Sequence, residues 1–265
     1  MDAAIKSSTL QSDLAGNRAP LVIDVRKTPA FHAAPDMIAG ALRRDPAAVT
    51  SWTKELPPAS TVVVYCVHGH EVSQGVAKAL RDAGISARYL EGGIEEGWRA
   101  ADGGFMQKPT NASTRWVTRE RPKIDRIACP WLIARFVDPT AEFLYVPTAN
   151  VLGAAKEKEA IPYDIPDVAF SHDGDLCSFD AFLKTYHLTD PALERLALIV
   201  RGADTAHLEL APQSPGLLAV SLGLSRNFTD DHEMLKHGMV MYDALYAWCK
   251  DGQDETHTWN PAAYR

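Results

Sequence analysis

The chain has 265 residues, 46% of them hydrophobic and 23% charged, which fits one large or two ordinary folded domains and excludes a disordered chain. No run of 18 apolar residues occurs and the N-terminal MDAAIKSSTLQSDL is polar, so no membrane-spanning helix, membrane partner or secretory leader is expected and a cytoplasmic location follows. The net charge of −7 falls wholly in residues 111–265, where 15 basic residues stand against 22 acidic ones. That distribution argues against a nucleic-acid partner and is compatible with cation binding.

In chain order, Leu21–Val25 (LVIDV) reads as a buried parallel strand, and IAGALR (38–43) crosses a glycine into a short second one. TVVVY (61–65) is the clearest strand. Ser73–Ala83 has Val76, Leu80 and Ala83 on one helical face, and Gly84 ends it. Ala87–Leu90 is a third core strand, EGG (91–93) a tight turn, and Ile94–Arg99 the start of another helix. Strands alternating with helices at this spacing predict an α/β domain over residues 1–105, built on a parallel sheet flanked by helices.

Residues 101–114 are rich in Gly, Pro and Thr without periodicity, and 106–114 is the expected linker. Residues 115–265 read as a mostly α-helical domain with one or two short strands, at Trp116–Thr118 and Phe143–Val146. Helices are expected over 127–137, with Pro130 in the first turn, and over 179–186, 191–201, 215–223 and 230–250.

The four cysteines, Cys66, Cys129, Cys177 and Cys249, are far apart and form no CxxC, which suits free thiols. Cys66 follows the strand 61–65. It is followed by Val67, His68, Gly69, His70, Glu71 and Val72 and then by a helix. Backbone N–H groups of such a loop and of the helix N-terminus stabilise a thiolate, a persulfide or a bound oxyanion. His68 and His70 are placed to lower the thiol pKa or to exchange protons; exposed loop residues are the plainer reading. Asp24 and Arg26 suit a salt bridge beneath the loop.

These features resemble a single rhodanese domain. IDVR (23–26), IAGA (38–41), VVVYC (62–66) and LEGGIEEGW (90–98) stand in that family's order and spacing over about residues 8–102. The resemblance implies that Cys66 accepts sulfur, cradled by N–H groups of residues 67–72, with a sulfane-sulfur donor and a thiol acceptor as partners and no cofactor. Many thiosulfate-using members carry Arg after the cysteine and Arg, Thr or Ser at the last loop position. Val67 and Glu71 stand there instead, which favours a persulfide donor over thiosulfate. A tyrosine phosphatase requires Arg at position 72, where Val72 stands.

In the second half, SHDGD (171–175), RGADT (201–205) and DDHE (230–233) interrupt an apolar pattern. His172, Asp204, Asp231 and His232 are the candidate ligands for Fe, Mn or Zn. A turn, a capped loop and a helix N-cap account for the same clusters without a metal. Arg126 and Arg201 suit either an oxyanion or structural salt bridges, and Cys129 either a reactive thiol or packing. Residues 124–147, 170–183, 199–205, 217–225 and 231–248 resemble the C-terminal domain of the chromate-resistance protein B family. That resemblance implies an association with chromate resistance and oxidative stress.

The leading expectation is a sulfurtransferase that uses a Cys66 persulfide, joined to a metal- or oxyanion-binding domain. The alternatives are a non-catalytic redox or chromate sensor, and a metal-dependent redox enzyme in the second half.

Overall fold

The structure, a computed structural model, describes residues 3–14, 19–56, 59–110 and 113–254. By internal contact the chain forms two compact units. The first runs to Trp116 and takes in Leu132–Phe143 and Leu183–Leu188. The second holds Val117–Trp131, Leu144–Phe182 and the chain from Thr189. Among the described residues, no helix is long and apolar enough to cross a membrane.

The first unit contains β1 (Ala4–Ile5), α1 (Ser7–Leu14), β2 (Leu21–Asp24), α2 (Thr28–Ala33), β3 (Asp36–Ile38), β4 (Leu42–Arg43), α3 (Val49–Trp52), β5 (Thr61–Tyr65), α4 (Glu71–Asp82), β6 (Ser86–Leu90) and β7 (Phe105–Gln107). Five strands form a sheet in the order β1-β6-β5-β2-β4, and every pairing in it is parallel. The expected α/β architecture is therefore present. β5 lies at the centre, with Val62 to Tyr65 fully buried, as expected of a strand covered on both faces. Because side chains alternate along a strand, Val62, Val64 and Cys66 face the same way. All three join one apolar cluster with Ile23, Val25, Val76, Ala77 and Leu80. Cys66 thus emerges on the face that α4 covers.

Two segments depart from the sequence-based expectations. Gly93–Trp98 winds as a π-helix, with the Gly97 N–H donating to the Gly92 carbonyl at 3.1 Å. Phe105–Gln107, at the start of the expected linker, pairs antiparallel with Asp36–Ile38 and buries Met106. Asn111 and Ala112, also in that linker, lie outside the described residues.

In the remainder, β8 (Arg115–Arg119), α5 (Asp125–Leu132), β9 (Glu142–Val146), α6 (Val151–Lys158), β10 (Ile161–Pro162), α7 (Ser178–Tyr186), α8 (Pro191–Asp204), α9 (Ser214–Asn227) and α10 (Asp231–Ala247) follow. The two expected strands appear as β8 and β9, and β10 completes a sheet of order β10-β8-β9. A two-residue strand carries no readable periodicity. The helix expected at 127 starts two residues earlier, so Pro130 lies inside α5 rather than in its first turn. Proline has no N–H to give the Arg126 carbonyl; the Tyr145 hydroxyl donates to that oxygen instead, at 3.4 Å. Helix starts follow capping chemistry: the side chains of Asp190 and Asp230 accept from Ala192 N–H and Glu233 N–H at 2.7 and 2.8 Å. Trp131 stacks on Phe179 and packs against Tyr242 and Tyr246 in the core.

Candidate functional site

The first site lies where β5 ends. Cys66 is 6% exposed, and its Sγ is 3.2 Å from the hydroxyl of Ser73, in the first turn of α4. The loop between them is tightly curled. Gly69 has φ +70° and Gly93 φ +59°. A Cβ on Gly69 would meet the Leu90 carbonyl at 2.6 Å and the Gly93 nitrogen at 2.7 Å, and one on Gly93 would meet the Gly69 nitrogen at 2.5 Å. Only glycine fits both the backbone conformation and the space. The Cys66 and Val67 carbonyls accept from Ile94 and Glu95 N–H at 3.0 and 3.1 Å, which locks the loop onto the closing turn.

The carbonyl of His70 accepts from Gln74 N–H, and that of Gly69 from the Gln74 side-chain amide. By contrast, the N–H groups of Val67 through Ser73 donate to no acceptor among the described residues. Such unspent donors at a helix N-terminus suit a negative charge. Val72 packs against the apolar cluster, half-buried. His68, His70 and Glu71 are exposed at the loop surface. His68 Nδ1 is 2.8 Å from a carboxylate oxygen of Glu96, and this contact, first among its causes, holds Glu96 below the usual carboxylate range.

Beneath the loop, Asp24 and Arg26 form a buried ion pair at 2.6 Å, with exposures of 0 and 1%. Asp24 also accepts from the Tyr65 hydroxyl at 2.9 Å, and that hydroxyl in turn accepts from Ile38 N–H. The side chain of the residue immediately before Cys66 is thereby tied to β2 and β3. Ser73 and Glu96 were not among the sequence candidates. Ser73 carries a faint signal, a hydroxyl in a helix's first turn.

The second site lies within the second unit. His172 Nε2 is 3.1 Å from Asp204 Oδ2, 3.5 Å from Asp164 Oδ1 and 3.6 Å from Asp125 Oδ2. Of the four expected ligands, the fold brings His172 and Asp204 together and adds Asp125 and Asp164, which sequence reading missed. Asp125 opens α5 within a run dominated by cations (RERPKIDR, 119–126), and Asp164 follows β10 between Tyr163 and Ile165, so neither stands among other candidate ligands. Asp231 and His232 are engaged elsewhere. Asp231 accepts from Arg121 N–H at 3.0 Å, and the His232 ring packs edge-on against Tyr145. Both lie in the first turn of α10, where a carboxylate meets ordinary helix-terminal needs.

The second cluster is highly polarised. Asp164 accepts from Arg119 and Ser178 at 2.9 Å each and pairs with Arg126 at 3.2 Å. Burial opposes its charge, yet His172, Arg119 and Ser178 hold its carboxyl below the ordinary value. Burial first, then Asp204 and Asp164, pushes Asp125 well above it. Asp204 is raised by burial and by Asp164. The hydrogen bond with Asp164, then the charges of Asp125 and Asp204, raises His172 to about 9 against the opposing effect of burial. His172, Asp164 and Asp204 line a cavity of about 470 Å³ together with Arg119, Lys123 and Arg126.

Arg201 is spent on a two-pronged ion pair with Asp180 at 2.6 and 2.9 Å, which fits the structural salt-bridge reading. Cys129 is fully buried, and burial pushes its thiol well above the normal range; packing, not reactivity, is its role. Cys177 and Cys249 are fully buried too.

Comparison with known proteins agrees with both halves. A rhodanese-like domain model matches residues 8–101. Solved structures similar to the first unit include a rhodanese-related protein from Thermoplasma volcanium, 23% identical, covering 39% of this chain and 97% of that one with a TM-score of 0.35. A protein from Lactobacillus plantarum is 30% identical, covering 39% and 87% with a TM-score of 0.36. A curated relative, Protein ChrB of Cupriavidus metallidurans, is 33% identical over 140 residues, 52% of this chain and 42% of that protein. This chain thus matches less than half the length of that relative. The model of the ChrB C-terminal domain covers residues 116–249, half of the chain, and with a rhodanese-like domain ahead of that match, the chain belongs to the ChrB C-terminal domain family.

Proposed function

We propose that the first unit is a sulfurtransferase that carries sulfur as a persulfide on Cys66. The observation behind this reading is the set of unspent N–H groups from Val67 to Ser73 around a thiol held beside the Ser73 hydroxyl. In the first half-reaction the Cys66 thiolate attacks the outer sulfur of a donor persulfide R–S–SH. The donor S–S bond breaks, R–S⁻ leaves, and Cys66–S–SH forms. An acceptor thiolate then attacks the outer sulfur and Cys66 thiolate is released. Splitting the transfer through a covalent intermediate lowers each barrier, and loop N–H groups stabilise the anionic sulfur in both steps. Val67 and Glu71 leave the loop without arginine or lysine, so a persulfide suits it better than the thiosulfate dianion.

The ChrB-type half ties this chemistry to chromate or oxidative stress. The test is mass spectrometry after exposure to a low-molecular-weight persulfide. A +32 Da adduct (about one sulfur atom) that is absent in Cys66→Ser supports the transferase. An unmodified protein with every persulfide and thiosulfate donor would support a sensor in its place.

A further inference from the structure

The geometry points to a divalent-cation site built from Asp125, Asp164 and His172 and bordered by Asp204. One ligand atom from each of the first three lies within 4.8 Å of the others. Two ligands of a single ion, each at about 2.1–2.4 Å, span just under that distance. The three arrive from separate elements: the start of α5, the turn after β10, and the loop before α7. The cluster is therefore a product of the tertiary fold and not a run of surface acids.

A second observation points to a ligand. Asp125 is 1% exposed, yet its Oδ1 has no hydrogen-bond partner among the described residues. Its other oxygen, Oδ2, accepts from Ser178 N–H at 2.7 Å and stands 3.6 Å from His172 Nε2. Oδ1 belongs to the same carboxylate, one of the three groups whose ligand atoms lie within 4.8 Å of one another. A buried, unpaired carboxylate oxygen is costly, and a cation at this point would satisfy it. Ser178 also donates to Asp164 Oδ1 at 2.9 Å, so one residue orients two of the ligands, as outer-shell partners of metal ligands do.

The imidazole Nε2 of His172 stands 3.1–3.6 Å from an oxygen of each of the three carboxylates. Binding would turn Nε2 from a proton carrier into a ligand. His172 is 41% exposed, and the adjoining cavity gives both an entry path and room for water ligands. Three carboxylates and one imidazole select a hard-to-borderline ion such as Mn²⁺ or Fe²⁺ over soft ones. Mn²⁺ also makes a discriminating probe, because it disregards thiols and so reports nothing from Cys66.

The experiment is a titration of chelator-treated full chain with Mn²⁺, with the free ion followed by electron paramagnetic resonance. One Mn²⁺ per chain is expected in the wild type and in Cys66→Ser. Asp125→Asn and His172→Ala should each bind at least about tenfold more weakly, with circular dichroism confirming the fold. Absence of saturable binding in the wild type, or unchanged binding in His172→Ala, overturns the site. The exposure of His172 makes that variant decisive even where Asp125→Asn fails to fold.

Discussion

The Sγ of Cys66 lies 3.2 Å from the Oγ of Ser73, seven residues on, because the alternation of β5 and the first turn of α4 place both on the same side of the loop. Ser73 is fully buried and within 3.3 Å of the His70 carbonyl as well. The Ser73 hydroxyl donates to that carbonyl, so it accepts from the Cys66 thiol in this arrangement and can turn its one proton to the sulfur when the thiol is ionised.

Ser73→Ala should therefore slow loading of sulfur onto Cys66 by about fivefold, the effect of one hydrogen bond of about 1 kcal/mol. Stopped-flow or timed mass spectrometry of the adduct measures it. A rate equal to the wild type would remove Ser73 from the site.

Gly69→Ala should destabilise the first unit by about 1–3 kcal/mol, the usual cost of a side chain held at positive φ, and abolish persulfide loading. Three close backbone contacts, at 2.6, 2.7 and 2.8 Å, leave its Cβ nowhere to go. Urea denaturation reads the stability, and an unshifted midpoint would mean that the loop is not locked.

Arg26→Met should cost about 3–5 kcal/mol because it strands Asp24 as an uncompensated charge at 0% exposure. The double variant Asp24→Asn/Arg26→Met should recover a large part of that loss. Comparing urea midpoints of the two variants decides the matter; equal destabilisation in both would show that packing, not charge, is at stake.

His172 gives a pH signature in the metal-free protein. Its folded pKa, about 9, is raised from 6.5, so its stabilisation is complete below about 6.5 and disappears as pH rises through about 9. Thermal midpoints of chelator-treated wild type should fall across that window relative to His172→Gln. Parallel profiles for the two proteins would refute the charged contact with Asp164.

Much of the first site was legible in linear form, since the relevant residues are contiguous. TVVVY reads as a buried strand, Gly69 as a curl, and the following pattern as a helix; Cys66 sits at their junction. Ser73 escaped notice because serine in a first turn is ordinary. The second site was only half legible. His172 and Asp204 stand in conspicuous polar clusters, but Asp231 and His232 stand in an equally conspicuous one and are used for helix-end and aromatic contacts. Asp125 and Asp164 carry no local ligand signal, since the first is a carboxylate among arginines and lysine and the second stands between Tyr163 and Ile165.

The sequence by itself determined the α/β character of the first half, the place of the Cys66 loop, and, α6 apart, the helices of the second half. Each of these rests on periodicity or on chemistry within about a dozen residues. Only the tertiary structure decided which acids share a space with His172, and that Asp125 is buried with an oxygen to spare. Proximity between residues 125, 164, 172 and 204 depends on how α5, β10 and α8 pack, and packing of distant elements leaves no periodic trace along the chain.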